Sequence, residues 1–140
     1  MKPVKILLVE DNEGDILLTS DALEECRIMN EVAIIRDGES AIEFFKHLKN
    51  KEDRPDLVLL DINIPKKSGL EVLVFLKTSE NYKQIPVIML TTSSSEKDVI
   101  LSYKNYANCY ITKPIEVSQF IDAITKIEEF WFNIVTIPLR

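Results

Sequence analysis

The segment Leu57-Val58-Leu59-Leu60 sets consecutive aliphatic residues directly before a carboxylate, Asp61. A run this short, with no polar alternation, reads as a strand buried on both faces rather than a helix. Pro65 and Ser68-Gly69 turn the chain afterwards, so Asp61 belongs where the strand leaves the core, at the mouth of a sheet. In open α/β sheets that mouth is where ligands bind. Taken alone, Asp61 could do no more than cap a turn. The construction recurs, however. Ile6-Leu7-Leu8-Val9 ends on Glu10-Asp11, and Val32-Ala33-Ile34-Ile35 closes at Asp37-Gly38. Residues 86–90 run into Thr91-Thr92-Ser93-Ser94-Ser95, and residues 108–112 end on Lys113-Pro114.

Helical spacing separates these runs. Residues 15–29 carry Ile16, Leu17, Leu18, Ala22, Leu23 and Cys26, with Asn12 and Asp15 as start signals. Ala41, Phe44, Phe45 and Leu48 mark a second amphipathic helix, and residues 49–54 a polar surface loop. Ser68 and Glu71 have capping-box spacing and open a third helix. A fourth is expected over residues 96–104, with a weaker stripe of Val99, Ile100, Tyr103 and Tyr106. Val117, Phe120, Ile121, Ile124 and Ile127 repeat at i, i+3, i+4, i+7 on a fifth.

Strands alternating with helices predict an α/β fold, a parallel sheet covered on both faces. The simplest doubly wound arrangement is the flavodoxin-like (βα)5 order 2-1-3-4-5. It places the first and third strands side by side and brings Glu10, Asp11 and Asp61 together. No Gly-rich phosphate fingerprint follows the first strand.

At 140 residues, 46% of them hydrophobic, the chain is expected to form one domain with a sizeable core. A net charge of −6 argues against binding nucleic acid, which needs clustered Lys and Arg. The same acidity suits a metal cation. Cys26 and Cys109 have neither metal-ligand spacing nor the density of a disulfide scaffold, and are read as buried thiols. The N-terminus lacks the apolar run of a signal peptide, and nothing approaches the ~20 apolar residues of a membrane span, so a cytoplasmic location and no membrane contact are expected.

Three crowded carboxylates repel one another unless a cation sits between them. Mg²⁺ fits, since it prefers oxygen ligands and is commonly held by one or two carboxylates and a phosphate. Zinc does not, because His47 is the only histidine and lies on the second helix as a solvated residue. Asn63 can add a backbone carbonyl. Thr91 and Lys113, from the next two strand ends, bring a hydroxyl and an ammonium to the other side of Asp61. Cation, amine and hydroxyl together suit a phosphoryl group. Asp61 is then the candidate nucleophile, because carboxylates form acyl phosphates in phosphoryl transfer.

These residues, in this order and spacing, resemble the receiver domains of two-component response regulators. The resemblance is carried by Leu8-Val9-Glu10-Asp11-Asn12, by Leu59-Leu60-Asp61-Ile62-Asn63-Ile64-Pro65 with Gly69, by Thr91-Thr92 and by Tyr110-Ile111-Thr112-Lys113-Pro114, and covers residues 5–130. It implies that Asp61 accepts phosphate from a phosphohistidine of a sensor histidine kinase. Asp11 and Asp61 would ligate Mg²⁺ and Glu10 would assist through water, Glu10 replacing the commoner aspartate. Lys113 would pair with the phosphoryl oxygens, and the Lys113-Pro114 bond would be cis. Signalling would be a population shift in which the Thr91 hydroxyl moves to the phosphoryl group and the Tyr110 ring turns inward. Asn63 and Ser93 stand where this family tunes loss of the phosphoryl group.

A receiver over residues 1–130 leaves residues 131–140 as an apolar C-terminal extension and no room for an output domain. The protein is therefore expected to act as a single-domain regulator or a phosphate relay. Phe130, Trp131 and Phe132, with Tyr106, are candidate interface residues. The tail and Pro65-Lys66-Lys67-Ser68-Gly69 resemble the regulators of bacterial phytochrome histidine kinases, which implies a homodimer through the fourth helix, fifth strand, fifth helix and tail. Two other readings compete: an interaction module that needs no phosphate, and a metal-dependent phosphatase with an aspartyl nucleophile. The second lacks the acid/base Asp two residues after the nucleophile, where Asn63 stands.

Overall fold

A computed structural model of the chain describes residues 3–25, 29–91, 96–113, 115–119 and 122. Parallel strands β1 (Val4–Val9), β2 (Asn30–Ile35), β3 (Leu57–Asp61), β4 (Val87–Thr91) and β5 (Cys109–Thr112) form one sheet in the order β2-β1-β3-β4-β5. Helices α1 (Glu13–Glu25), α2 (Gly38–Lys46), α3 (Gly69–Lys77) and α4 (Glu96–Lys104) alternate with them. Residues 117–119 are helical where the fifth helix is expected. Its later apolar positions Phe120, Ile121, Ile124 and Ile127, the extension, Cys26, Ser93 and Pro114 lie outside the described residues, as does the side chain of Thr91.

Side chains of each strand alternate between two apolar layers. Leu8, Leu57, Leu59, Ile88 and Leu90 join Ile16 and Leu23 of α1 on one face. Leu7, Val9, Val58, Leu60 and Met89 meet Phe45 of α2 and Val72, Leu73 and Leu76 of α3 on the other. All five residues of β3 are buried, as an unbroken aliphatic run requires. The edge strand β2 alternates between half-buried and exposed over its first four residues and starts at Asn30, ahead of its aliphatic run.

Local signals set the helix starts. The Asn12 side chain accepts the Asp15 N–H at 2.9 Å and the Asn12 carbonyl accepts the Ile16 N–H at 2.9 Å, so α1 begins at Glu13, two residues earlier than its apolar spacing predicts. Leu17 and Leu18 are exposed, contrary to their place in the expected stripe, because α1 buries Ile16, Thr19 and Leu23 instead. Ser68 and Glu71 form the full capping box of α3, with bonds of 3.2 and 2.9 Å. Helix α4 closes with the Tyr106 N–H on the Tyr103 carbonyl and the Ala107 N–H on the Ser102 carbonyl, leaving Tyr106 left-handed at φ 69°. Residues 49–54 remain a surface connection with one 3₁₀ turn, Lys51–Asp53.

Candidate functional site

Strand register builds the site. Val9 pairs with Leu60 across β1 and β3, so Glu10 and Asp61 leave the sheet side by side. Thr91 pairs with Thr112 across β4 and β5, so Lys113 follows one residue beyond that pair. The expected acidic group forms: one carboxylate oxygen from each of Glu10, Asp11 and Asp61 lies within 4.8 Å of the others. Glu10 and Asp61 are buried while Asp11 is exposed, so the cluster opens to solvent on the Asp11 side.

Lys113 crosses the sheet to join them. Its Nζ donates to Glu10 Oε1 at 2.6 Å and to Asp15 Oδ2 at 2.8 Å, and stands 3.4 Å from Asp61 Oδ2. Burial works against the Lys113 charge, but hydrogen bonds to Asp15 and Glu10 and the nearby Asp61 and Glu10 charges outweigh it and hold the ammonium above the ordinary lysine range. Burial, together with the hydrogen bond and charge of Glu10, pushes the Asp61 carboxyl up to about 7 against the opposing pull of Lys113 and the Asn63 N–H. The Asn63 N–H reaches Asp61 Oδ1 at 3.4 Å, and the Asn12 N–H reaches Glu10 Oε2 at 3.3 Å.

Two close approaches fix the loop that carries Asn63. A Cβ on Gly69 would stand 2.2 Å from the Asp61 carbonyl oxygen, and a Cβ on Gly38 1.9 Å from that of Lys67. The Gly69 N–H also donates to the Ile62 carbonyl at 2.9 Å, and Lys66 takes a left-handed φ of 70° to complete the turn. Tyr110 is half-buried against the α2–α3 side of the core. Of the predicted interface residues, Tyr106 is 76% exposed, and His47 is exposed at the end of α2 as expected.

Asp15 is the site residue that sequence reasoning missed. Its carboxylate is nearly as close to Lys113 as that of Glu10, 2.8 against 2.6 Å, yet in the sequence it reads as a helix-start signal. The available sign was a second acid a turn beyond Asp11, in a helix whose opening already had Asn12 and Glu13.

The donors present are hard oxygens, and repulsion among them is what a divalent cation relieves. Residues 6–125 match the family described as response regulator receiver domain. The chain belongs to that family. As a receiver, it is 44% identical over 138 residues to response regulator Rcp1 of Synechocystis sp., a match covering 97% of this chain and 94% of that one. Among solved structures it is similar to the Mn²⁺-bound form of Rcp1, at 43% identity and TM-score 0.74 over 97% of this chain and 99% of the other. The phosphorylated cyanobacterial phytochrome response regulator RcpA matches at 43% identity and TM-score 0.75 over 98% and 99% of the two chains. The bacteriophytochrome response regulator AtBRR matches at 42% identity and TM-score 0.80 over 94% and 96%. The receiver is thus a two-component signalling domain with phytochrome response regulators among its relatives, and no helix among its described residues is long and apolar enough to cross a membrane.

Proposed function

We propose that this receiver takes a phosphoryl group from the phosphohistidine of a sensor histidine kinase of the phytochrome type onto Asp61. The carboxylate oxygen of Asp61 attacks phosphorus, the P–N bond breaks, and the imidazole keeps the electron pair, leaving an acyl phosphate on Asp61. Glu10, Asp11 and Asp61, with the Asn63 carbonyl, would hold Mg²⁺. Bound there, the ion would neutralise charge on the transferring oxygens. Lys113 supplies the opposing cation from β5, within a water-poor site where its charge acts strongly. Thr91 and Tyr110 are the switch, and Asn63 and Ser93 tune loss of the phosphoryl group. The observation that carries the reading is one buried carboxylate, Asp61, grouped with two acids that can hold a cation and 3.4 Å from an ammonium that can meet a phosphoryl oxygen.

The domain is read as a signalling phosphoacceptor with only self-directed chemistry, cytoplasmic, and divided into a receiver over residues 1–130 and an interface extension over residues 131–140. Ile100 and Tyr103 on α4 and Tyr106 just beyond its end are exposed, which supports a homodimer through α4, β5, the fifth helix and the tail, with Phe130, Trp131 and Phe132. Trp131→Ala is expected to weaken self-association in sedimentation equilibrium, and an unchanged dimer would count against that assignment.

Incubation with acetyl phosphate and Mg²⁺ tests the phosphoacceptor. The expected product is one acid-stable, base-labile label per chain, absent in Asp61→Asn. Multiple-turnover release of phosphate from small phosphoesters would point to a phosphatase instead. A folded wild-type protein that takes no label would point to a phosphate-independent module.

A further inference from the structure

An ammonium has three N–H donors. Lys113 gives one to Glu10 and one to Asp15, at 2.6 and 2.8 Å, which leaves the third for the Asp61 side, where Oδ2 is 3.4 Å away. The two short bonds come from different elements, Glu10 at the end of β1 and Asp15 in α1, so Lys113 is braced from two directions. Nothing local requires an acid at position 15. Asn12 already caps the Asp15 N–H, and Glu13 in the same turn is exposed and paired with Arg36 at 2.8 Å. Asp15 instead turns inward: its side chain is 24% exposed against 73% for Glu13, and it meets a lysine that is 4% exposed.

We propose that Asp15 is a positioning residue for phosphoryl transfer, holding the Lys113 ammonium with its remaining N–H toward Asp61. This rests on Asp61 as the phosphoacceptor. A fixed donor aimed at the place where charge develops lowers the barrier because no reorganisation is needed during reaction. Without Asp15, Lys113 keeps one strong anchor, Glu10, and its long side chain regains freedom that binding a phosphoryl group must then remove.

Beryllofluoride with Mg²⁺, a phosphoryl mimic, tests the assignment by titration against the amide shifts of Ile62 and Asn63. Asparagine leaves an acceptor for Lys113 but removes the carboxylate charge, a weakening of roughly tenfold in an equilibrium constant, so Asp15→Asn is expected to need about tenfold more beryllofluoride at midpoint. Asp15→Glu, which restores the carboxylate, is expected to return the midpoint to within about threefold of wild type. A merely structural tie between α1 and β5 would lower the urea midpoint of Asp15→Asn and leave the beryllofluoride midpoint alone, and that result, or a lowered beryllofluoride midpoint, overturns the proposal. A folded wild-type protein that does not respond at all would instead refute the phosphoacceptor reading, and the role of Asp15 with it.

Discussion

The α carbon of Gly69 faces the backbone of Asp61 so closely that a Cβ there would lie 2.2 Å from the Asp61 carbonyl oxygen and 2.7 Å from the Ile62 Cα. Both obstacles are backbone, so neither can swing away. Gly69→Ala must push the start of α3 off the end of β3, an overpacking that costs about 3 kcal/mol. The expected result is a lower urea midpoint together with shifted amide resonances for Asp61, Ile62 and Asn63. An alanine variant as stable as wild type would show that α3 can move without cost.

Divalent cation should stabilise the folded chain, because its ligands converge only there. At a hundredfold excess over the dissociation constant, Mg²⁺ is expected to raise the unfolding free energy by about 2.7 kcal/mol. Asp11 is exposed, so Asp11→Asn should change cation-free stability by less than about 0.5 kcal/mol. In that variant most of the Mg²⁺ increment should vanish from thermal melts recorded with and without the ion.

Lys77 provides a pH signature far from the acidic cluster. Its Nζ donates to the Ile85 carbonyl at 2.7 Å and the Lys83 carbonyl at 3.1 Å, and burial lowers its pKa from 10.5 to about 8. Between those values the unfolded chain keeps the proton and the folded chain has released it. Stability from this group therefore rises with pH across the window and is lowest below it. Lys77→Met should flatten that rise in urea midpoints measured from pH ~7 to ~10, although the loss of its hydrogen bonds to Ile85, Lys83 and Asn108 lowers its absolute stability.

Tyr106 occupies a left-handed position, at φ 69°, where glycine is the usual residue. Tyr106→Gly is expected to relieve about 1 kcal/mol of backbone strain, offset in part by the entropy of the added glycine in the unfolded chain. If the exposed ring belongs to an interface, the same variant should gain stability as a monomer and lose self-association. Thermal melts and sedimentation of one sample measure both.

The strand order and the meeting of Glu10, Asp11, Asp61 and Lys113 are legible in the sequence because each polar residue follows an aliphatic run, and the order of runs fixes which ends are neighbours. Ser68 and Glu71 are legible for a different, purely local reason, their capping-box spacing. Asp15 is not, since a helix-opening acid looks the same whether it faces water or a lysine 98 residues away. Gly38 and Gly69 read as turn residues, yet what excludes a side chain there is the backbone of Lys67 in one case and of Asp61 and Ile62 in the other. Leu17 and Leu18 mislead in the opposite sense, because hydrophobicity does not say which side of a helix the sheet will cover.

Strand β3 has hydrogen-bonded neighbours along both edges, and all five of its residues are buried. Its amides should exchange with deuterium only when the whole molecule opens, making it the slowest reporter in the chain. The chemistry proposed at Asp61 is thereby anchored to the part least able to yield. A signal from that position therefore has to travel through the neighbouring strands, helices and loops rather than by bending β3 itself.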